Sequence, residues 1–147
     1  MIILGLNAYH GDSSACIFVN GKLVAAIEEE RIRRIKHWAG FPSESIKFCL
    51  KECGVSIQDV DHITISRDPS ANIYKKITHS FKHAVSFKVL KDRLKNTRKV
   101  SSIKQELSDT FSIDETEIKA EVHNIEHHRS HMASAFFASP FEESAIL

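Results

Sequence analysis

Apolar positions along the chain fall first into short runs and then into a helical period. Ile2 to Asn7 is an apolar run of strand length, and Ala15 to Val19 and Lys22 to Ile27 are two more. Asn20-Gly21 separates the last two, and both residues tolerate the positive φ of a type I′ hairpin turn. The chain therefore opens with three strands, the first two joined by a loop from Ala8 to Ser14. Behind Pro42 the period changes. Ile46, Leu50 and Cys53 recur at helical spacing, which predicts a helix with Ser43 as its N-cap and Gly54 as its stop. Val60 to Ser66 alternates as a fourth strand, and Ala71 to about Leu107 is helical in pattern. Lys119 to Ile125 reads as a further strand, and His127 to Phe137 as a helix halted by Ser139-Pro140. Ala145-Ile146-Leu147 reads as the start of another strand.

These elements predict an α/β fold, a mixed sheet with three leading strands and flanking helices. The order strand-strand-strand-helix-strand-helix is that of a ribonuclease H-like half-domain, the unit doubled in actin-like ATPases. That analogy concerns fold and carries no function by itself. A chain that stops on entering a strand is expected to be incomplete. Its unfinished sheet edge predicts either instability of the fragment or association, with a second copy as a homodimer or with the rest of a longer product.

Composition narrows the function classes without choosing one. A length of 147 residues suits one core, and 42% apolar with 27% charged residues is an ordinary globular mixture. No stretch approaches the roughly 20 apolar residues that span a bilayer. Met1 to Asn7 lacks the basic segment of a signal peptide. Three cysteines, none in a C-x-x-C pair, point to a reducing, cytoplasmic setting. The formal net charge is +1, but Lys75, Lys76, Lys82, Lys88, Lys91, Arg93, Lys95, Arg98, Lys99 and Lys104 face a single acid, Asp92, between residues 71 and 105. That surplus raises a non-catalytic reading as a polyanion-binding or assembly module. No nucleic-acid motif accompanies it, and Tyr74, Phe81 and Phe87 fit a buried helix face. A basic helical insertion over about 70–110, flanking a substrate cleft or facing solvent, is the better reading.

Three segments carry candidate chemistry. In His127-His128-Arg129-Ser130-His131, residues four apart share a helix face, so His127 and His131 can address one metal ion. Imidazole suits Fe, Zn, Ni or Cu, and the plain alternative is a helix start that is merely His-rich. His128 falls on another face, and Arg129 reads as solvated. The loop Asn7-Ala-Tyr-His-Gly-Asp-Ser-Ser14 holds a base (His10), a carboxylate (Asp12), two hydroxyls and a glycine. A His beside an Asp can serve as a general base, whereas Gly-Asp-Ser-Ser is equally good turn chemistry. Glu28 to His37 carries dense charge of both signs, which is usually a solvated face. Its Arg31, Arg34 or Lys36 can instead hold anionic groups.

Taken together, Ile3-Leu-Gly-Leu-Asn-Ala-Tyr-His-Gly-Asp-Ser-Ser-Ala15, Glu28-Glu-Glu-Arg31, Arg34-Ile-Lys-His37, Gly40-Phe-Pro42, His127-His-Arg-Ser-His131 and Ala133 to Phe141 closely resemble the carbamoyltransferases of nodulation-factor and antibiotic biosynthesis. The resemblance covers about residues 1–55 and 120–147, leaving Arg67 to Thr116 unmatched. It implies the amino-terminal part of an actin-like domain, in an enzyme whose second domain makes carbamoyl-adenylate from carbamoyl phosphate and ATP. An acceptor hydroxyl, on a sugar or natural product, would then attack the carbamoyl carbon.

By motif, His127 and His131 match metal-binding histidines, with iron the expected divalent ion and zinc or magnesium the alternatives. His10 matches the histidine near the acceptor, the candidate for activating its hydroxyl, and Asp12 would orient that His or bind the acceptor. Ser13, Arg31 and Lys36 are the substrate-binding candidates. This chain lacks the remainder of such an enzyme, so transfer is expected only with the rest of the polypeptide or a partner subunit. A tRNA threonylcarbamoyl transferase relative is the rival reading with the same fold.

Overall fold

The computed structural model describes residues 1–68, 103–137 and 139–143. Most of the helical stretch expected from Ala71, and the strand expected at 145–147, lie outside the described residues. Among the described residues five strands form one mixed sheet: β1 Ile2–Asn7, β2 Ser14–Val19, β3 Lys22–Glu28, β4 His62–Ile65 and β5 Glu121–Asn124. Their spatial order is β3-β2-β1-β4-β5. The first three pair antiparallel, and β1, β4 and β5 run parallel. The hairpin turn is as expected, with φ of 50° at Asn20 and 80° at Gly21.

Four α-helices are described: α1 Glu29–Arg33, α2 Ser43–Cys53, α3 Ile103–Phe111 and α4 His127–Phe137. None of the described helices is long and apolar enough to cross a membrane. α1 was not foreseen, because Glu28 to His37 shows a charge run and no apolar period. α2 differs at its start. Pro42 occupies the cap position, its carbonyl accepting from the Ile46 amide at 3.0 Å, and Ser43 is the first helical residue. A side-chain cap from Ser43 is displaced because the Glu29 carboxylate takes the Glu44 and Ser45 amides at 3.1 and 2.7 Å. Gly54 ends the helix in the left-handed region as expected, at φ 69°.

One face of the sheet builds the core. Leu4, Leu6, Ile17, Ile63 and Ile65 pack with Ile46, Cys49 and Leu50 of α2, and with Ile103 and Leu107 of α3. The described end of the basic segment is thus part of the core. Burial pushes the Cys49 thiol up to about 11, with neighbouring Cys16 adding to the rise. All three cysteines are free thiols. The alternate positions, including Gly5, Ser14, Cys16, Ala26, Thr64 and Ser66, face the other way and line a cleft of about 600 Å³.

Candidate functional site

The loop between β1 and β2 is fixed at its ends and displayed at its tip. Tyr9 and Asp12 adopt left-handed backbone, φ 58° and 61°, and reverse the chain around His10-Gly11. The Tyr9 amide donates to the Gly40 carbonyl at 3.2 Å and the Ser13 amide to that of Trp38 at 2.9 Å. The Ser13 hydroxyl reaches the Gly40 carbonyl at 2.8 Å and that of His10 at 3.2 Å. Ser13 is fully buried, so it ties two loops together and offers no surface to a solute. Burial, with Glu106 beside it, holds the Tyr9 phenol above its usual range. His10, Gly11 and Asp12 remain exposed.

The charged segment contains the anchor of this arrangement. Glu29 is 0% exposed, yet its carboxylate is bonded to the Arg33 guanidinium at 2.6 Å as well as to the two amides of α2. Burial pushes its carboxyl up, but the hydrogen bonds from Ser45, Arg33 and Glu44 outweigh that and hold it below the usual range. Arg33 also donates to the Ser43 hydroxyl at 2.7 Å and lies over the Trp38 ring at 4.7 Å. Arg31 pairs with Glu28 at 3.3 Å and lines the cleft, while Lys36 is exposed on the loop behind α1.

α4 starts at the site because Glu126 caps it. One carboxylate oxygen accepts from the Arg129 amide at 3.0 Å and the other pairs with His128 Nδ1 at 2.9 Å. His128 and that amide hold the Glu126 carboxyl down to about 2. The first turn then presents His127 and His131 on one face, with their Nε2 atoms 3.0 Å apart and their rings 4.5 Å apart and perpendicular. The His10 ring lies 5.4 Å from that of His127. Strand end and helix start thus bring His10, His127 and His131 together, although more than a hundred residues separate them in sequence.

Two imidazole nitrogens about 3 Å apart are where ion–nitrogen bonds of roughly 2.0–2.1 Å would place neighbouring ligands. The pair fits a divalent ion, and it equally permits one N–H to donate to the other ring. The Asp12 carboxylate accepts from His37 Nδ1 at 2.9 Å, and Glu30 accepts from the His37 amide at 3.1 Å. Asp12 thus meets a histidine of the charged segment, while His10 Nδ1 faces the Gly11 carbonyl at 3.3 Å. The Asp12 hydrogen bond and charge raise the His37 imidazole above its usual value.

Sequence reasoning missed His37, Glu29 and Glu126. Glutamate is not a favoured N-cap, so nothing marked Glu126. The i,i+4 spacing of Glu29 and Arg33 was legible but looked like any surface pair.

The cleft shares its borders with this site. Asn7 and Ser14, the two ends of the loop, line it, as do Ile125 and, one turn along α4 from His127, Ser130. Over the Gly5 backbone there is no room for a side chain, since a Cβ there would sit 2.7 Å from Cys16 Sγ. A histidine cluster thus adjoins a cleft lined largely by small and polar residues.

A family described as carbamoyltransferase N-terminus matches residues 2–147, and the chain belongs to it. Among its relatives, an uncharacterised protein of Synechocystis (sll1178) is 37% identical over 99% of this chain and 24% of its own length. The nodulation protein NolNO of Sinorhizobium fredii is 31% identical over 96% of this chain and 19% of its own. The chain thus spans about a quarter or less of these relatives. The solved structure of YeaZ from Pseudomonas aeruginosa covers 48% of this chain and 31% of its own, at 19% identity and a TM-score of 0.35, too slight a likeness to bear on the fold.

Proposed function

We propose that the chain is the acceptor-side and metal-binding part of an O-carbamoyltransferase, built on a ribonuclease H-like half-domain. The observation that carries it is the meeting of His10 with the His127–His131 pair, next to the cleft-lining Ser130, within a chain that belongs to the carbamoyltransferase N-terminus family. Three antiparallel strands continued by two parallel ones support the fold reading.

In the whole enzyme the carbamoyl group would come from carbamoyl phosphate through a carbamoyl-adenylate made with ATP. The acceptor would be a hydroxyl of a sugar or other small molecule. An alcohol is a poor nucleophile at neutral pH, so His10, exposed at the tip of a pinned loop, takes the hydroxyl proton. Asp12 and His37 form the adjoining ion pair and orient the acceptor. Arg31 at the cleft rim, with Lys36 behind it, supplies positive charge for phosphate or carboxylate groups. His127 and His131 hold a divalent ion, iron in preference to zinc or magnesium, which when bound neutralises negative charge developing on the leaving group. Glu126 positions both histidines by capping their helix.

Substituting His10→Ala in the full-length protein is expected to lower transfer to the acceptor by about 100-fold while metal content stays unchanged. Transfer that survived this change intact would remove His10 from the base role. His131→Ala is expected to lower metal content with the fold retained by circular dichroism.

A further inference from the structure

On the open sheet face, across the β4–β5 pair, three more metal-ligand side chains meet. His62 lies on β4, and Glu121 and His123 lie on β5. The parallel register pairs His62 with Glu121 and Thr64 with His123, and alternate strand residues share a face, so all three project to the same side. His62 Nδ1 is 3.0 Å from His123 Nε2. Glu121 Oε2 lies 3.9 Å from the first nitrogen and 3.8 Å from the second. The two imidazoles are 35% and 36% exposed, and Glu121 is 71% exposed.

A hydrogen bond between the rings accounts for the first distance, and the other two are those of a loose ion pair shared between both rings. The carboxylate is beyond hydrogen-bond reach of either ring and almost equidistant from both. An ion bonded to its ligands at roughly 2.0–2.2 Å needs ligand–ligand separations of about 3–3.6 Å. The ring nitrogens already satisfy that spacing. Glu121, on a solvent-facing side chain with three torsions, closes the rest by moving a few tenths of an ångström. Two imidazoles and one carboxylate suit a borderline-soft ion, whereas magnesium and calcium favour all-oxygen shells.

We propose that His62, Glu121 and His123 form a zinc site distinct from the His127–His131 pair, with one coordination position open to solvent. The ion ties β5, the outermost of the described strands on that side and paired over four residues, to β4. β5 leads within three residues into α4, so the clamp also steadies the helix that carries His127 and His131. No residue of this site takes part in the proposed transfer chemistry, so the two readings stand or fall separately.

The test is a calorimetric titration with Zn²⁺ alone of the 147-residue chain carrying His127→Ala and His131→Ala. One ion per chain is expected, with a rise in Tm of about 5 °C at saturating zinc. Adding His123→Ala is expected to weaken binding by about 100-fold, and adding Glu121→Gln by about tenfold. Glu121 is exposed and its substitution is expected to leave the fold intact by circular dichroism, so it decides the question even if the His123 change destabilises the strand. Absence of binding at about 100 µM zinc, or affinity unchanged by Glu121→Gln, would overturn the proposal.

Discussion

The two faces of the sheet obey different rules although they are woven from the same strands. On one, Leu4, Ile17, Ile63 and Ile65 are completely or almost completely buried against α2 and α3. On the other, one residue along from each, stand Gly5, Cys16, Thr64 and Ser66, small or polar side chains that line an open cleft. Adjacent positions such as Ile63 and Thr64 therefore answer to different demands, one to close packing and the next to leaving space. A period of two lets a single strand do both.

The largest test of this contrast lies under the site, not in it. Glu29→Gln removes the charge that holds Arg33 and caps α2 from a fully buried position, and is expected to cost about 4 kcal/mol in urea unfolding. Because the folded carboxyl is held below its usual value of 4.5, its stabilisation is complete above that value. It is lost as pH falls through the lowered folded value, so the acid limb of the wild-type stability profile should flatten in the variant. An unchanged acid limb would show that Glu29 titrates as it does in the unfolded chain.

Next, Ile63→Ala is expected to destabilise by about 3 kcal/mol, and its neighbour Thr64→Val by no more than about 0.5 kcal/mol. Equal effects would erase the distinction between the faces. The smallest effect is electrostatic. With Asp12→Asn, the His37 ring should titrate in NMR nearer 6.5 than in the wild type. The contribution of that pair is present below 6.5 and fades as pH rises through the raised folded value. An unmoved midpoint would mean that Asp12 is not what raises it.

Much of the framework was readable from the chain. The strand runs, the Asn20-Gly21 turn and the Gly54 stop are local signals, and local backbone preferences decide them. What escaped depends on contacts between distant segments. Glu29 stands between Glu28 and Glu30 in sequence, and only the seating of α1 against α2 makes it a buried cap where its neighbours remain surface charges. Ser13 looked like a substrate hydroxyl because nothing local shows that the Trp38–Gly40 carbonyls lie over it. The His127–His131 spacing was legible on one helix, but the arrival of His10 beside it required the parallel placement of β1, β4 and β5.

The left-handed residues Tyr9 and Asp12 have a consequence for ligand recognition. Each holds a backbone conformation that costs roughly 1 kcal/mol or more for a residue with a side chain, and buried Ser13 and the bonds to Trp38 and Gly40 keep them there. The loop has lost its freedom during folding, before any acceptor arrives. A molecule docking at His10 then need not immobilise the segment it touches, and a larger share of its contacts appears as affinity and residence time.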